Sequence, residues 1–393
     1  MPYLARLNSA VMLLLLSNWL LINPFKKGFR AIIKDKSFYV LISYYLLCAI
    51  GLLYTSNLET GYGILLKRVS LFLLPLIFAP FQYNPKILKY ISFSFIFSIG
   101  AAATYTLLAV YNQHKTYLAD YTSDKLRDVL IQPTGLHPTY FAMYVLFAVF
   151  LLLFIFIQHK WYTKIFPSIA IILFSLYLLG FTLLLSARMP LISFGVLVIF
   201  LSVFILLKNK YYGIFITGLI LVAITFYIII SSALFSQRFL EVSNTEWKPP
   251  VGIHYNSTNL RIGIFTCTYQ NYKQNWLLGT GTGDMQDKLN QCYEANGYSE
   301  VMYKNRYNTH SIYLDALLML GLIGLLLLLY NFYYYLRVAY KYQMWMYMVF
   351  LLLFLLCGIS ESFFNTQKGI VFFSFFNTLF LYYTHQTSNK ANV

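Results

Sequence analysis

Eleven apolar stretches, most of them near 20 residues long, recur along the chain. They lie at about 8–23, 37–54, 68–81, 88–111, 138–158, 165–185, 189–207, 211–235, 309–332, 343–358 and 369–384. Such lengths match the hydrocarbon thickness of a bilayer. The stretches are apolar on all sides and lack the alternation of a membrane barrel. Helices are then required, because every backbone group must be satisfied inside lipid. Charge agrees: only 11% of the 393 residues are charged and 59% are hydrophobic, where a soluble domain carries roughly a quarter charged residues. The expected fold is an all-α polytopic membrane protein of about 11–12 transmembrane helices. It divides into residues 1–235 with eight spans, a large excursion at 236–309, and residues 310–393 with the last three spans and a short tail.

The placement of charge sets the orientation. The formal net charge is +16. Loops 24–36, 82–89, 159–164, 208–212 and 337–343 and the C-terminal tail hold Lys26, Lys27, Arg30, Lys34, Lys36, Lys86, Lys89, Lys160, Lys164, Lys208, Lys210, Arg337, Lys341 and Lys390, with Asp35 as their only acid. The opposite set carries nearly all remaining acids, from Glu59 and Asp120 to Glu300 and Glu361. Basic short loops stay in the cytoplasm, so the excursion is expected outside and the C-terminus inside. The basic excess is thus topology, and no nucleic-acid partner is expected. No small-residue cleavage site follows Val11–Ile22, so that segment reads as a retained helix. Cys48 and Cys357 fall within spans and read as inert. Cys267 and Cys292 fall in the excursion, where oxidation can occur; a disulfide and two free buried thiols both stay open.

Ionisable side chains inside spans are nearly absent, apart from Asp315 and those at span ends. Proton-coupled transporters place such groups at mid-membrane. Here they gather at the outer boundary: His137, Arg188, the excursion, His310 and Glu361. Residues Asn259–Trp276 read as an amphipathic helix lying on the membrane. A turn follows, Gly279-Thr280-Gly281-Thr282-Gly283-Asp284. It fits either a phosphate cradle or a tight connection needing positive φ, and it lacks the Lys-Ser/Thr of a P-loop. Asn308 or Thr309 suits an N-cap for the next helix. At roughly 100° per residue, His310, Gly321 and Gly324 share one helix face, open to a neighbouring helix or lipid chain.

His310-Ser311, nine residues, then Gly321-Leu322-Ile323-Gly324 resembles the signature of the bacterial O-antigen ligase family, whose superfamily includes O-antigen polymerases and protein O-oligosaccharyltransferases. Ser186-Ala187-Arg188 is similar to the family's Ser-Arg motif, and Arg261 opens a loop helix ahead of a Gly-x-Gly turn, as in the family. Leu136–Tyr140 and Glu361–Gly369 look like Bacteroides-type members. The resemblance spans roughly residues 130–384 and implies twelve helices with one large periplasmic loop before the last few.

What the resemblance implies is a glycosyltransferase of the inner (cytoplasmic) membrane with its active site on the periplasmic face. It would move a glycan from a polyprenyl-pyrophosphate carrier to a hydroxyl of a lipid A-core type glycolipid, inverting and without metal. No Asp-x-Asp pair is present, and no cofactor is expected. Imidazole titrates near neutrality, so His310 suits the base that takes the acceptor's proton. Guanidinium binds phosphate bidentately and stays charged, so Arg188 and Arg261 suit the donor pyrophosphate. His137, Arg306 and Glu361 are secondary candidates. Each has a plainer reading. His310 fits a solvated polar residue, and Arg188, Arg261 and Arg306 fit head-group anchors. His137 fits a helix start with Pro138 at N1, and Glu361 fits a partner for Lys368 or an arginine. Besides the ligase, a polymerase of the same superfamily and a lipid-linked saccharide flippase are alternatives. The two halves show no internal repeat, which disfavours the transporter.

Overall fold

The computed structural model describes residues 5–22, 32, 35–81, 83–113, 123–209, 227, 247–253 and 255–391. The span read at 211–235, apart from residue 227, residues 236–246 of the excursion and residues 24–31 of the first basic loop lie outside the described residues. The α-helices are α1 (Ala5–Ile22), α2 (Lys36–Ile50), α3 (Leu58–Arg68), α4 (Ser70–Phe78), α5 (Pro85–Gln113), α6 (Ser123–Ile131), α7 (Pro138–Gln158), α8 (Ile165–Leu184), α9 (Arg188–Asn209), α10 (Ser257–Gln274), α11 (Met285–Ala295), α12 (Glu300–Lys304), α13 (Ile312–Lys341), α14 (Trp345–Cys357) and α15 (Gln367–Ala391). Among the described residues there is no strand. Among the described residues, seven helices are long and apolar enough to cross a membrane: Lys36–Tyr54, Leu58–Phe78, Pro85–Asn112, Pro138–Gln158, Ile165–Leu184, Arg188–Leu207 and Ile312–Lys341. The protein is an all-α polytopic membrane protein.

One span differs from the sequence reading. The stretch expected at 68–81 begins at Leu58 and ends at Phe78. Asn57 caps it by accepting from the Thr60 amide, and Glu59 in the first turn suits the positive end of the helix dipole. The shift places Arg68 inside the span. Two further stretches form shorter apolar helices, Ala10–Leu21 and Trp345–Cys357, and the last lies within α15.

The chain forms two compact units. The first comprises Asn84–Leu240 with Met348–Cys357. Its centre is α7, with Phe141 through Ala148 fully buried. Aromatic rings pack around it: Phe141 on Phe181 of α8, Phe147 on Phe95 of α5 and on Phe350, and Phe150 on Phe194 of α9. The turn between α7 and α8 uses Lys160 in the left-handed region (φ 51°). Helices α7 and α9 therefore run the same way, so His137 and Arg188 start their helices at one end and Lys160 and Lys164 lie at the other.

The second unit comprises Ala5–Tyr83, Glu241–Tyr347 and Gly358–Val393. Helices α2, α3–α4, α13 and α15 form its bundle. Polar pairs set their register. Ser43 and Asn331 bond mutually at 2.9 and 3.2 Å, and Tyr347 donates to Asn377 at 2.6 Å. At the end away from His310, Ser37 lies 3.1 Å from both the Tyr334 hydroxyl and His385 Nε2.

The helices of the excursion belong to this unit. Helix α10 starts from a capping box between Asn256 and Asn259. Its buried face, Leu260, Gly263, Ile264, Cys267, Thr268 and Asn271, packs on α11 and α13, while Phe265 and Tyr269 stay exposed. Cys267 and Cys292 form a disulfide that ties α10 to α11. Asp284 then staples the excursion to the start of the second span, accepting from the amides of Ser56 and Asn57 at 2.8 and 2.7 Å.

Candidate active site

The glycine turn is the first element to place. Helix α13 is broken at Gly321, whose φ of 65° and ψ of −161° are not helical. The Leu322 and Ile323 amides turn away from their own helix to the carbonyls of Trp276 and Leu277, at 2.8 and 3.4 Å. The carbonyls of Leu318 and Met319 are released by the break. They accept instead from the Thr280 and Gly281 amides at 2.9 and 3.0 Å. These four groups opened by the break thus find partners, as backbone at membrane depth requires. Both glycines are obligatory. A Cβ at Gly279 would sit 2.4 Å from the Gly321 nitrogen, and one at Gly321 only 2.2 Å from the Leu277 carbonyl oxygen. Of the two readings of this turn, the tight connection is the one seen; the amides of Gly279 to Thr282 are spent on backbone carbonyls and that of Gly283 on the Thr55 hydroxyl. The shared face expected for His310, Gly321 and Gly324 is also overturned. That estimate assumed an unbroken helix, whereas at Gly324 the nearest atoms are those of Leu320 and Ala316 in its own distorted helix.

The approach to α13 is built from side chains. His310 is half-buried and left-handed, with φ 49°. Its amide donates to Asn308 Oδ1 at 2.9 Å. The helix cap is Ser311, which accepts from the Leu314 amide, and not Asn308 or Thr309. The left-handed His310 ends the preceding turn, so helical geometry begins only after it. The Thr309 hydroxyl, fully buried, donates to Asp315 Oδ1 at 2.6 Å. The Ser311 amide donates to Ser362 Oγ at 3.1 Å, and Asn365 Nδ2 donates to the second Asp315 oxygen at 2.9 Å. Ser362 and Asn365 lie in the segment Glu361–Gly369, so that segment clamps the His310 turn, and Glu361 is adjacent to the clamp. The Tyr307 ring lies 5.9 Å from that of His310.

Arg306, also left-handed, pairs with Asp287 at 2.7 Å. Desolvation raises the Asp287 carboxyl, but bonds from Asn57 and Arg306 outweigh it and hold it below the usual range. Arg261 is exposed on α10. His310, Arg306, Arg261 and Glu361 thus belong to the second unit, and His137 and Arg188 to the first.

In the first unit, Ser186 is left-handed (φ 50°) and closes α8, its amide bonding the Leu183 carbonyl at 3.0 Å. Arg188 is the first residue of α9. A cation there opposes the helix dipole, so an anion at that end answers both the guanidinium and the helix terminus. His137 is the N-cap of α7 with Pro138 at N1, as its plainer reading has it. Desolvation first, and the Arg127 charge second, hold its imidazole below the ordinary value. It therefore stays neutral through neutral pH.

Residues 173–329 match the family model described as O-antigen ligase. The match supports the O-antigen ligase family. It holds Arg188, Arg261, Arg306 and His310, and leaves His137 and Glu361 outside. What it shows is a likeness, over that stretch, to the O-antigen ligase and polymerase superfamily of membrane glycosyltransferase-like enzymes. No curated protein matches the chain.

Two features of this chain escaped the sequence. One is Arg68, fully buried beside Cys48, Met319 and Asn365. It would have stood out as an intramembrane charge had the span been started at its cap, Asn57. The other is the break at Gly321, for which the two glycines were the available signal. Among the described residues, no group of three His, Cys, Asp or Glu side chains is placed to hold a metal ion.

Proposed function

We propose that the protein is an O-antigen ligase-type glycosyltransferase. It transfers a glycan from a polyprenyl-pyrophosphate carrier to a hydroxyl of a lipid A-core type glycolipid, at the periplasmic face of the inner membrane. The observation that carries this reading is the His310 turn, a left-handed histidine fixed by a buried network inside the stretch that matches the family. His310 takes the proton of the acceptor hydroxyl as that oxygen attacks the anomeric carbon. The pyrophosphate leaves with the bonding pair, and Arg188 and Arg261 hold it. Cations placed where charge develops act on the transition state. The outside location of the excursion is supported by the Cys267–Cys292 disulfide, since such bonds persist in oxidising compartments.

The test is transfer by the purified protein from a lipid-pyrophosphate glycan to a glycolipid acceptor, with chelator present. Inverted product formed in EDTA supports the reading; activity lost to EDTA and restored by Mg²⁺ or Mn²⁺ overturns its metal-free form. In a deletion strain, long chains should vanish from the lipid A core while lipid-linked polymer accumulates. A single repeat left on the core indicates a polymerase. A cysteine at the exposed position Ser257 should label in intact spheroplasts; labelling only after lysis overturns the orientation.

A further inference from the structure

Arg68 is the most unusual charge in the second unit. It lies inside the span Leu58–Phe78 and is wholly buried. Ionisable groups in that setting are costly and are retained for a purpose. Four hydrogen bonds commit its donors: Nε to the Phe364 carbonyl at 3.1 Å, Nη1 to Cys48 Sγ at 3.0 Å and Met319 Sδ at 3.3 Å, and Nη2 to Asn365 Oδ1 at 3.1 Å. The Tyr44 ring lies 5.8 Å from the guanidinium carbon. A guanidinium has five N–H donors, so little is left to bind a substrate phosphate.

Asp315, also buried, is the acid joined to it. Asn365 bridges the two, accepting from Arg68 and donating to Asp315. Asp315 in turn accepts from Thr309, the residue before His310. A continuous chain therefore runs from Arg68 through Asn365, Asp315 and Thr309 to the His310 backbone.

We propose that Arg68 and Asp315 are positioning residues for His310, acting through Asn365 and Thr309. The proposal rests on the reading of His310 as the base. Stability alone is a weak reason for such a pair, because apolar replacement of buried ion pairs is often neutral or stabilising. A fixed carboxylate does something an apolar group cannot. It orders the Thr309 hydroxyl and so holds a left-handed turn that an L-residue otherwise resists.

The experiment uses the full chain in detergent. Two readouts are taken per folded molecule: transfer kinetics, and the rate at which diethyl pyrocarbonate modifies His310, followed by peptide mass spectrometry. Thr309→Val keeps the shape and removes the hydroxyl. It should lower kcat by about 10²-fold, the cost of misplacing a catalytic group by about 1 Å, with donor KM unchanged. His310 modification should accelerate several-fold while that of His137 stays constant. Thr309→Ser should restore both readouts. The double variant Arg68→Gln with Asp315→Asn removes both charges together, so no lone buried charge is left to unfold the protein. It should keep His310 modification fast and kcat low. Wild-type values of both readouts in Thr309→Val or in the double variant overturn the proposal. The modification rate needs no substrate, so it decides the positioning claim on its own. An inactive wild-type protein overturns the proposed function instead.

Discussion

Two helix starts carry candidate residues, Ser186–Arg188 in the first unit and Asn308–Ile312 in the second, and both turn on a left-handed residue that is not glycine. Ser186 is held through its backbone, as the end of α8, and among the described residues its hydroxyl finds no hydrogen-bond partner. His310 is held through its neighbours' side chains: Asn308 on its own amide, Asp315 on Thr309, and Ser362 on the Ser311 amide. The difference separates two demands. A guanidinium reaches an anion from many rotamers, so Arg188 needs only a place at a helix end. A general base, the role proposed for His310, needs its nitrogen within about 3 Å of one proton, along one direction, and a buried polar network is what such a role would require.

The largest expected effect breaks the second start at its chemistry. His310→Ala should leave folded protein in the membrane, keep most donor binding, and lower transfer by about 10²–10⁴-fold. Retention of more than about a tenth of the wild-type rate would remove His310 as base, and His137, neutral at neutral pH by its depressed pKa, would be the next to test.

Next is the broken helix that follows that start. Gly321→Ala should cost about 2–5 kcal/mol, from a left-handed L-residue and from a Cβ pressed on backbone. The obstructing atom is the Leu277 carbonyl oxygen at 2.2 Å, which cannot rotate away. The check is the melting temperature and monodispersity of the purified protein. An unchanged melting temperature would mean that α13 runs straight through Gly321.

A smaller effect is expected at the first start. Removing a hydrogen bond to a charged group costs about 1.5–3 kcal/mol. Arg188→Ala should therefore raise donor KM about 10–100-fold. Arg188→Lys should recover only part of this, since a point charge cannot reproduce the bidentate fork. Full recovery by lysine would reduce Arg188 to a bulk charge, and no change in either variant would reduce it to a head-group anchor.

The sequence carried the helices well, because lipid leaves the backbone almost no alternative to them. It also singled out His310 and Arg188 as candidates, since each stands beside a short recognisable string. What it carried poorly depends on contacts between distant segments. Asn365 was within a segment singled out for resemblance, yet its work is to join Arg68 to Asp315, positions 247 residues apart. The break in α13 was hidden for a related reason. Gly321 reads as a tolerated glycine in an apolar helix until the amides of Thr280 and Gly281 are seen on the carbonyls it frees. Helical periodicity assumes continuity, so it misplaced Gly324 as well.

The smallest effect sharpens the comparison most. At Ser186 a left-handed L-residue costs about 1–2 kcal/mol, and glycine removes that cost while adding about 0.5–1 kcal/mol of chain entropy to be lost on folding. Ser186→Gly should then be neutral to slightly stabilising, by about 0.5–1 kcal/mol. An unchanged melting temperature or a rise of up to about 1 °C is the expected measurement. The sign follows from the absence of side-chain bonds at this residue; a network like that around His310 would make glycine costly by loosening what it holds. A fall in melting temperature would therefore show that the Ser186 side chain does contribute to the fold, and that the two helix starts are held in the same way after all.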